Sequence, residues 1–282
     1  MRTPAPPHHL PAGPLAVRWL TYDVPSVRAG AESLARVELE NAGSAVWRSQ
    51  GKEGIQLAYH WLDQLGNPIV WDGLRTALPR PVAPGGRLEL PVALVGPMPP
   101  GTYRLAFDLV HEHRLWFQEV GNAPLELAVD VLPRLARRAL AVRIRGGEHL
   151  AASTREALAA QEEPVAGEGE ATADLAAGCL PAPDWSRRIL DAHEEGFVTV
   201  GGSIEVEDGW RERRRLRDLE PWAPGFGRVP DWARPILCPS LLVESEIVEF
   251  HGLPSVDPAE IDGRVLCDGR IRVRLPGGRP PA

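Results

Sequence analysis

The sequence predicts a mainly β fold in two parts, an N-terminal Ig-like β-sandwich followed by a small α/β domain. Three observations carry this expectation. Apolar and polar residues alternate with period two from Leu15 to Leu132, the mark of half-buried strands. The 29 prolines and 28 glycines supply turn signals between short segments. In this half they leave about seven or eight strands, the spacing of a sandwich. After Pro133 the period changes and helical stretches enter.

The strands follow in order. Leu15, Val17 and Trp19 alternate with Ala16, Arg18 and Leu20, and Val37–Glu40 ends at the Asn41-Ala42-Gly43 turn. Ile55–Trp61 comes next, then the turn Leu65–Pro68 and Ile69–Trp71. Leu88–Leu94 follows Pro84-Gly85-Gly86, and Tyr103–Leu109 follows Pro99-Pro100-Gly101. Leu115–Phe117 and Leu125–Val131 close the sandwich. The expected organisation is a loose tail over 1–14, the sandwich over 15–132, a linker over 133–138, the α/β domain over 139–275 and a second tail over 276–282.

Composition narrows the function. A hydrophobic share of 44% and a charged share of 24% fit a chain with a real core and exclude collagen-like or wholly disordered classes. No stretch reaches the ~18–20 apolar residues of a membrane-spanning helix. The N-terminus is broken by prolines and has no signal-like apolar run, so a cytoplasmic protein is expected. Cys179, Cys238 and Cys267 are odd in number and far apart, which argues against a disulfide framework or a cysteine zinc site. The net charge of −7 disfavours nucleic acid or an anionic membrane as partner. Lys52 is the sole lysine, a bias that suits a GC-rich genome.

The run Glu40-Asn41-Ala42-Gly43, Val46-Trp47, Tyr59-His60-Trp61, Val82–Gly85, Pro97–Tyr103 and Trp116-Phe117 resembles the four-tryptophan, Ig-like domain of neighbour-of-BRCA autophagy receptors in its bacterial form. The resemblance covers residues 15–132 and implies a binding or spacing module without catalysis. It departs at Val37 and Leu39, and over Leu105–Phe107, where the family carries tryptophans.

Trp47, Trp61, Trp71 and Trp116 admit two readings: plugs of the sandwich core, or a sugar-stacking platform. Packing is the commoner use. Trp71, beside Asp72 and Gly73, is the best candidate for an exposed ring. Ligand or partner contacts are expected at Trp61, Trp71 and Trp116. On a strand His111 and His113 would share a face and could reach one metal, but no third ligand stands near, so a solvated strand end or loop is the expectation.

In the second half, Ala139–Ile144 reads as a strand and Leu150–Ala160 as a helix, with a Gly/Glu-rich loop over 164–169. A helix runs from Ser186 to Glu195 and stops at Gly196, with Ile189, Leu190 and His193 on one face. Phe197–Glu205 is a strand containing a glycine pair. Cys179–Trp185, this helix and Val200–Ile204 resemble the middle of family-two glycosyltransferases, and Cys238–Leu242, Phe250–Pro254 and Glu260–Asp262 echo their acceptor region. Such enzymes hold a nucleotide sugar through a metal on an Asp-x-Asp motif. Here Ala176-Ala177-Gly178 stands in its place and no Asp-x-Asp occurs in the chain, which implies a reduced, inactive relative.

Two further segments stand out. Five arginines fall within 211–217, diluted by acidic neighbours into a salt-bridged surface. The loop Pro221–Arg228, with Trp222, Phe226 and Arg228, is the expected partner-contacting segment of this half. The sequence thus favours a recognition or scaffolding protein without catalysis or cofactor, its partner a protein or a carbohydrate, in bacterial polysaccharide or glycoconjugate assembly. The runner-up is a metal-independent transferase using Asp184, His193, Glu260 and Asp262. A carbohydrate-binding module is the third reading.

Overall fold

The computed structural model describes residues 2–50, 53–145, 148–206 and 265–275. The chain divides into two compact units, Met1–Leu132 and Pro133–Ala282.

The first unit holds β1 (Thr3–Pro4), β2 (Val17–Asp23), β3 (Val27–Arg28), β4 (Glu32–Asn41), β5 (Ser49–Gln50), β6 (Glu53–Leu62), β7 (Pro68–Val70), β8 (Thr76–Ala77), β9 (Arg87–Val95), β10 (Gly101–His111), β11 (Leu115–Trp116) and β12 (Leu125–Leu132). They form a mainly β sandwich. One sheet runs β1-β2-β4-β9; the other runs β3-β12-β10-β6-β5, with β11 added to β10 and β7 and β8 to β6. The alternation sets which side chains meet between the sheets. Val37 and Leu39 of β4 and Leu90 and Val92 of β9 face Leu57, Tyr59 and Trp61 of β6 and Leu105, Phe107 and Leu109 of β10 in one buried cluster.

Polar corners tie the sheets together. Asn41 donates through its amide to the carbonyls of Ala45 (2.8 Å) and Val82 (2.9 Å), and its Oδ1 accepts from the Gly43 amide at 3.0 Å. Asn122 does the same at the other end, donating to Leu15 and Phe117 carbonyls and accepting from the Val17 amide. Both asparagines are buried, so these bonds satisfy groups that would otherwise cost about 1–3 kcal/mol each.

The N-terminal segment departs from the loose tail expected of it. Thr3 and Pro4 pair with Tyr22 and Thr21, the Ala5 amide donates to the Leu20 carbonyl, and the His8 ring bonds to the Val17 carbonyl. The period-two rule missed β1 because a two-residue strand shows no period.

The second unit holds β13 (Leu140–Arg145), α1 (Glu148–Ala159), β14 (Ala171–Ala176), β15 (Leu180–Pro181), α2 (Trp185–Glu195), β16 (Thr199–Val206) and β17 (Val265–Leu275). β13 and β14 pair in parallel around α1, and β16 pairs in parallel with β17, on whose other edge lies β15. Leu140, Leu175, Cys179, Trp185, Ile189, Val200 and Ile271 share the core. Residues 133–138, expected as a linker, pack onto this unit: Leu135 joins its core, and Arg138 binds Glu163, Asp191 and Glu194. Gly196 ends α2 at a left-handed φ of 119°, as the sequence predicts.

Candidate recognition site on the sandwich

The outer face of the β6–β10 sheet is unusual. Parity turns Gln56, Ala58, His60, Ala106, Asp108 and Val110 away from the sandwich core, yet all six are buried. Over His60 and Asp108 lie Trp71 from the loop between β7 and β8 and, from the segment after β10, Trp116 and the Gln118 amide.

This layer is built around His60, which is 1% exposed. The Trp71 ring stacks on its imidazole (centroids 4.1 Å apart, 19° between planes), and Trp116 meets it edge-on at 4.4 Å. Trp71 and Trp116 lie 6.0 Å apart at 69°, so the two indoles form a corner rather than a coplanar row. His60 Nδ1 bonds to the Trp71 carbonyl. A carbonyl only accepts, so the proton sits on Nδ1. Nε2 is buried without a partner among the described residues, and burial holds the His60 pKa below its usual value.

Arg75 clamps the loop from outside. It donates to Glu112 at 2.7 Å, to Asp72 at 2.9 Å and to the Gly73 carbonyl at 3.1 Å, with its guanidinium 4.8 Å from the centre of the Trp116 ring. Gly73 lets the loop lie against β6, its amide donating to the Tyr59 carbonyl at 3.0 Å. A Cβ there would stand 2.5 Å from that carbonyl oxygen and 2.6 Å from the Tyr59 ring.

The result is a braced tryptophan on the surface. Trp71 keeps 43% of its area exposed, with one ring face held by His60. Along the same run of chain Leu65 (88%), Ile69 and Leu74 are also exposed. The tip carrying Leu65 is stiffened by Asp63, whose carboxylate accepts from the Leu65 and Asn67 amides and the Asn67 side chain. Those bonds, that from the Asn67 side chain foremost, lower the Asp63 pKa.

Deeper in the layer lies Asp108, wholly buried, accepting from the Leu109 amide at 2.8 Å and the Gln118 amide at 3.2 Å. Burial pushes its pKa up to about 7, against the lowering pull of those two bonds.

The other residues that the sequence singles out separate. Trp61 is removed from the binding set: strand parity points it inward, it is fully buried, and its Nε1 donates to the Val95 carbonyl at 2.9 Å. Trp47 is buried beside Phe117 in an edge-on contact at 5.4 Å. Trp116 is half-buried and serves to brace His60. His111 ends β10, while His113 sits exposed in the following turn at φ 60°, so the shared strand face that a metal site would need does not form.

In the second unit Asp184 precedes α2 and pairs with Arg188, whereas His193 lies nine residues on, about 13 Å along the helix. His193 is buried, its Nδ1 bonds to the Phe197 carbonyl at 2.9 Å, and burial lowers its pKa. These two residues are not brought together as an acid–base pair. Glu260, Asp262, Trp222, Phe226 and Arg228 lie outside the described residues. Among the described residues no group of three His, Cys, Asp or Glu side chains is placed to hold a metal, and no helix is long and apolar enough to cross a membrane.

His60, Asp72, Arg75 and Glu112 were missed as site residues. His60 had a signal, a polar residue inside the otherwise apolar run Ile55–Trp61.

No family model matches the chain, and no curated protein matches it. Solved structures with a similar arrangement include the C-terminal domain of Wzt, at 11% identity over 46% of this chain and 81% of that one, with a TM-score of 0.30. Spo0M, a sporulation control protein from Bacillus subtilis, is 13% identical over 41% of this chain and 48% of its own length, with a TM-score of 0.26. The PapD-like domain 7 of human CEP192 is 11% identical over 45% of this chain and 91% of its own, with a TM-score of 0.22.

Proposed function

We propose that this chain is a non-catalytic recognition and scaffolding protein whose sandwich docks a protein partner along residues 65–74, with Trp71 as the anchor. The observation that carries this reading is the bracing of an exposed tryptophan. Trp71 is held by His60 and the Arg75 clamp before any partner arrives, so little ordering entropy remains to be lost on binding. Exposed Leu65, Ile69 and Leu74 add apolar area, and Asp72 and Arg75 supply a charged rim. The corner geometry of Trp71 and Trp116 favours this over the flat row of rings that a polysaccharide chain would stack on. The resemblance to four-tryptophan domains supports a binding role in the same half, and the two sequence resemblances together support a place in bacterial polysaccharide or glycoconjugate assembly.

The test uses Trp71→Ala and Leu65→Ser in the full chain. A partner cross-linked to the wild-type protein in its own cell extract is expected to be lost from both variants. Retention by both variants refutes the reading. A glycan array and a thermal-shift screen against nucleotide sugars with Mn²⁺ address the other two. A hit lost in Trp71→Ala turns the site to carbohydrate, and a metal-dependent shift revives the transferase.

A further inference from the structure

The two sheets leave a gap on the side of the sandwich away from β6, and one wall of that gap is an open strand edge. On its inner edge β12 pairs with β10 from Leu125 to Val131, but on its outer edge β3 covers only Val131 and Leu132. Among the described residues no strand lies beside Leu125 to Asp130, an edge about 20 Å long. The Leu132 carbonyl accepts from the Ala29 amide at 2.9 Å, which fixes the parity. The backbone groups of Glu126, Ala128 and Asp130 point to the same outer edge.

The edge opens into a groove of 690 Å³ between β12 and the chain from Tyr22 to Val27, with Thr3 and Pro4 on the far wall. Its floor is apolar: Leu127, Val129, Tyr22 and Val24 are only partly buried, though they belong to the core side of the sandwich. Its rim is acidic. Asp23, Glu126 and Asp130 line it, and no Lys or Arg does. Glu126 is paired with Arg104, while Asp130 accepts a hydrogen bond from the Thr102 hydroxyl at 2.8 Å and has no basic partner among the described residues.

We propose that this groove binds an extended, basic segment of another protein by strand addition to β12. The main chain of the segment pairs with Glu126, Ala128 and Asp130. Its alternate residues are apolar and drop between Leu127, Val129, Tyr22 and Val24; the others are Arg or Lys and lie beside Glu126 and Asp130. A second copy of this chain is the poorer occupant, because edge-to-edge pairing of two β12 strands sets Asp130 and Glu126 against other carboxylates. The groove lies on the opposite edge of the sheet from Trp71, so the inference stands independently of the docking face described above.

The test titrates the intact protein with a short labelled peptide alternating valine and arginine, and with its valine–glutamate counterpart. The arginine form is expected to bind, with amide-exchange protection appearing at Glu126, Ala128 and Asp130. The glutamate form is expected to bind roughly tenfold or more weakly. Ala128→Pro removes one outward amide on an edge strand, where proline is tolerated, and is expected to weaken binding roughly tenfold. Asp130→Lys leaves the backbone intact and is expected to weaken the arginine form and favour the glutamate form, while Trp71→Ala changes neither. Absence of binding by the arginine peptide overturns the proposal, as does equal binding of both peptides or indifference to Ala128→Pro in a folded variant. Concentration-dependent dimerisation abolished by Ala128→Pro assigns the edge to a second copy and also overturns it.

Discussion

β6 is buried on both faces, and the two faces are buried by different means. Inward, Leu57, Tyr59 and Trp61 enter the sandwich core, where Trp61 Nε1 donates to the Val95 carbonyl and the Tyr59 hydroxyl accepts from the Val95 amide at 3.0 Å. Outward, His60 and Gln56, with Asp108 on β10, lie beneath a loop that carries its own charges, and His60 keeps an unpartnered nitrogen. The inner face spends its residues on stability. The outer face accepts an unsatisfied nitrogen and shifted ionisation states, and in return holds an exposed tryptophan in place.

The contrast is broken most directly at the two tryptophans. Trp61→Ala removes a fully buried ring and its hydrogen bond, and chemical denaturation is expected to show a loss of about 3–5 kcal/mol. Trp71→Ala, at a ring that keeps 43% exposure, is expected to cost under about 1.5 kcal/mol. Equal losses would make the outer layer a second core and remove the reason to assign it a recognition role.

Asp108 gives the next largest effect, and it depends on pH. Its folded pKa of about 7 lies above the unfolded value of 3.8, so the folded state holds the extra proton between these limits. Stability is therefore fully present below pH 3.8 and declines as the pH rises through 7, by up to about 4 kcal/mol. Asp108→Asn keeps an acceptor for the Leu109 or Gln118 amide and removes the ionisation. Its melting temperature is expected to exceed that of the wild type at pH 8 and to match it near pH 4. Equal melting temperatures at pH 8 would mean that the carboxylate is solvated.

Gly73→Ala sharpens the comparison from the loop side. The added methyl meets the Tyr59 carbonyl and ring at 2.5–2.6 Å, so the loop must lift off β6, at a cost of about 1–3 kcal/mol. Tyr59 itself sits in the inner core, and an inner-face readout such as protection of the Phe107 amide is expected to stay unchanged. Trp71 fluorescence is expected to shift toward that of a solvated indole.

How much of this the sequence shows follows from the same contrast. The inner face was legible at Leu57 and Tyr59, which alternate with smaller or polar neighbours, whereas Trp61 was expected among the ligand contacts although the same parity turns it inward. The exposure of Trp71 was also legible, from the Asp72-Gly73 turn beside it. The covering of the outer face was not. His60 and Asp108 occupy positions that period two assigns to solvent, and only the tertiary course of the loop and of Leu115–Val120 buries them. In the second unit α2 was found from its helical spacing and its Gly196 stop, whereas β14 was missed because Ala171 and Ala173, buried as they are, carry no strand preference. β17 was missed as well: its partner β16 lies about sixty residues earlier, and such long-range parallel pairing leaves no local signal.

The smallest effect is the most specific to the outer layer. Burial lowers the His60 pKa, with the Trp71 carbonyl and Asp72 opposing that shift and Arg75 adding to it. The folded state therefore resists protonation, and stability is present above pH 6.5 and lost as the pH falls through the depressed folded value. In the wild type this slope is masked, because Asp108 pulls the other way over part of the same range. The Asp108→Asn background removes that opposing slope. There, acidification from pH 7.5 to 5 is expected to lower the melting temperature and to release Trp71 from its stack, since a protonated Nε2 has no acceptor to meet. Adding His60→Phe keeps a ring beneath Trp71 and removes the titration, so the acid-induced fluorescence change is expected to vanish. If that change persists in the double variant, the stack is not controlled by His60, and the bracing of Trp71 rests on the Arg75 clamp alone.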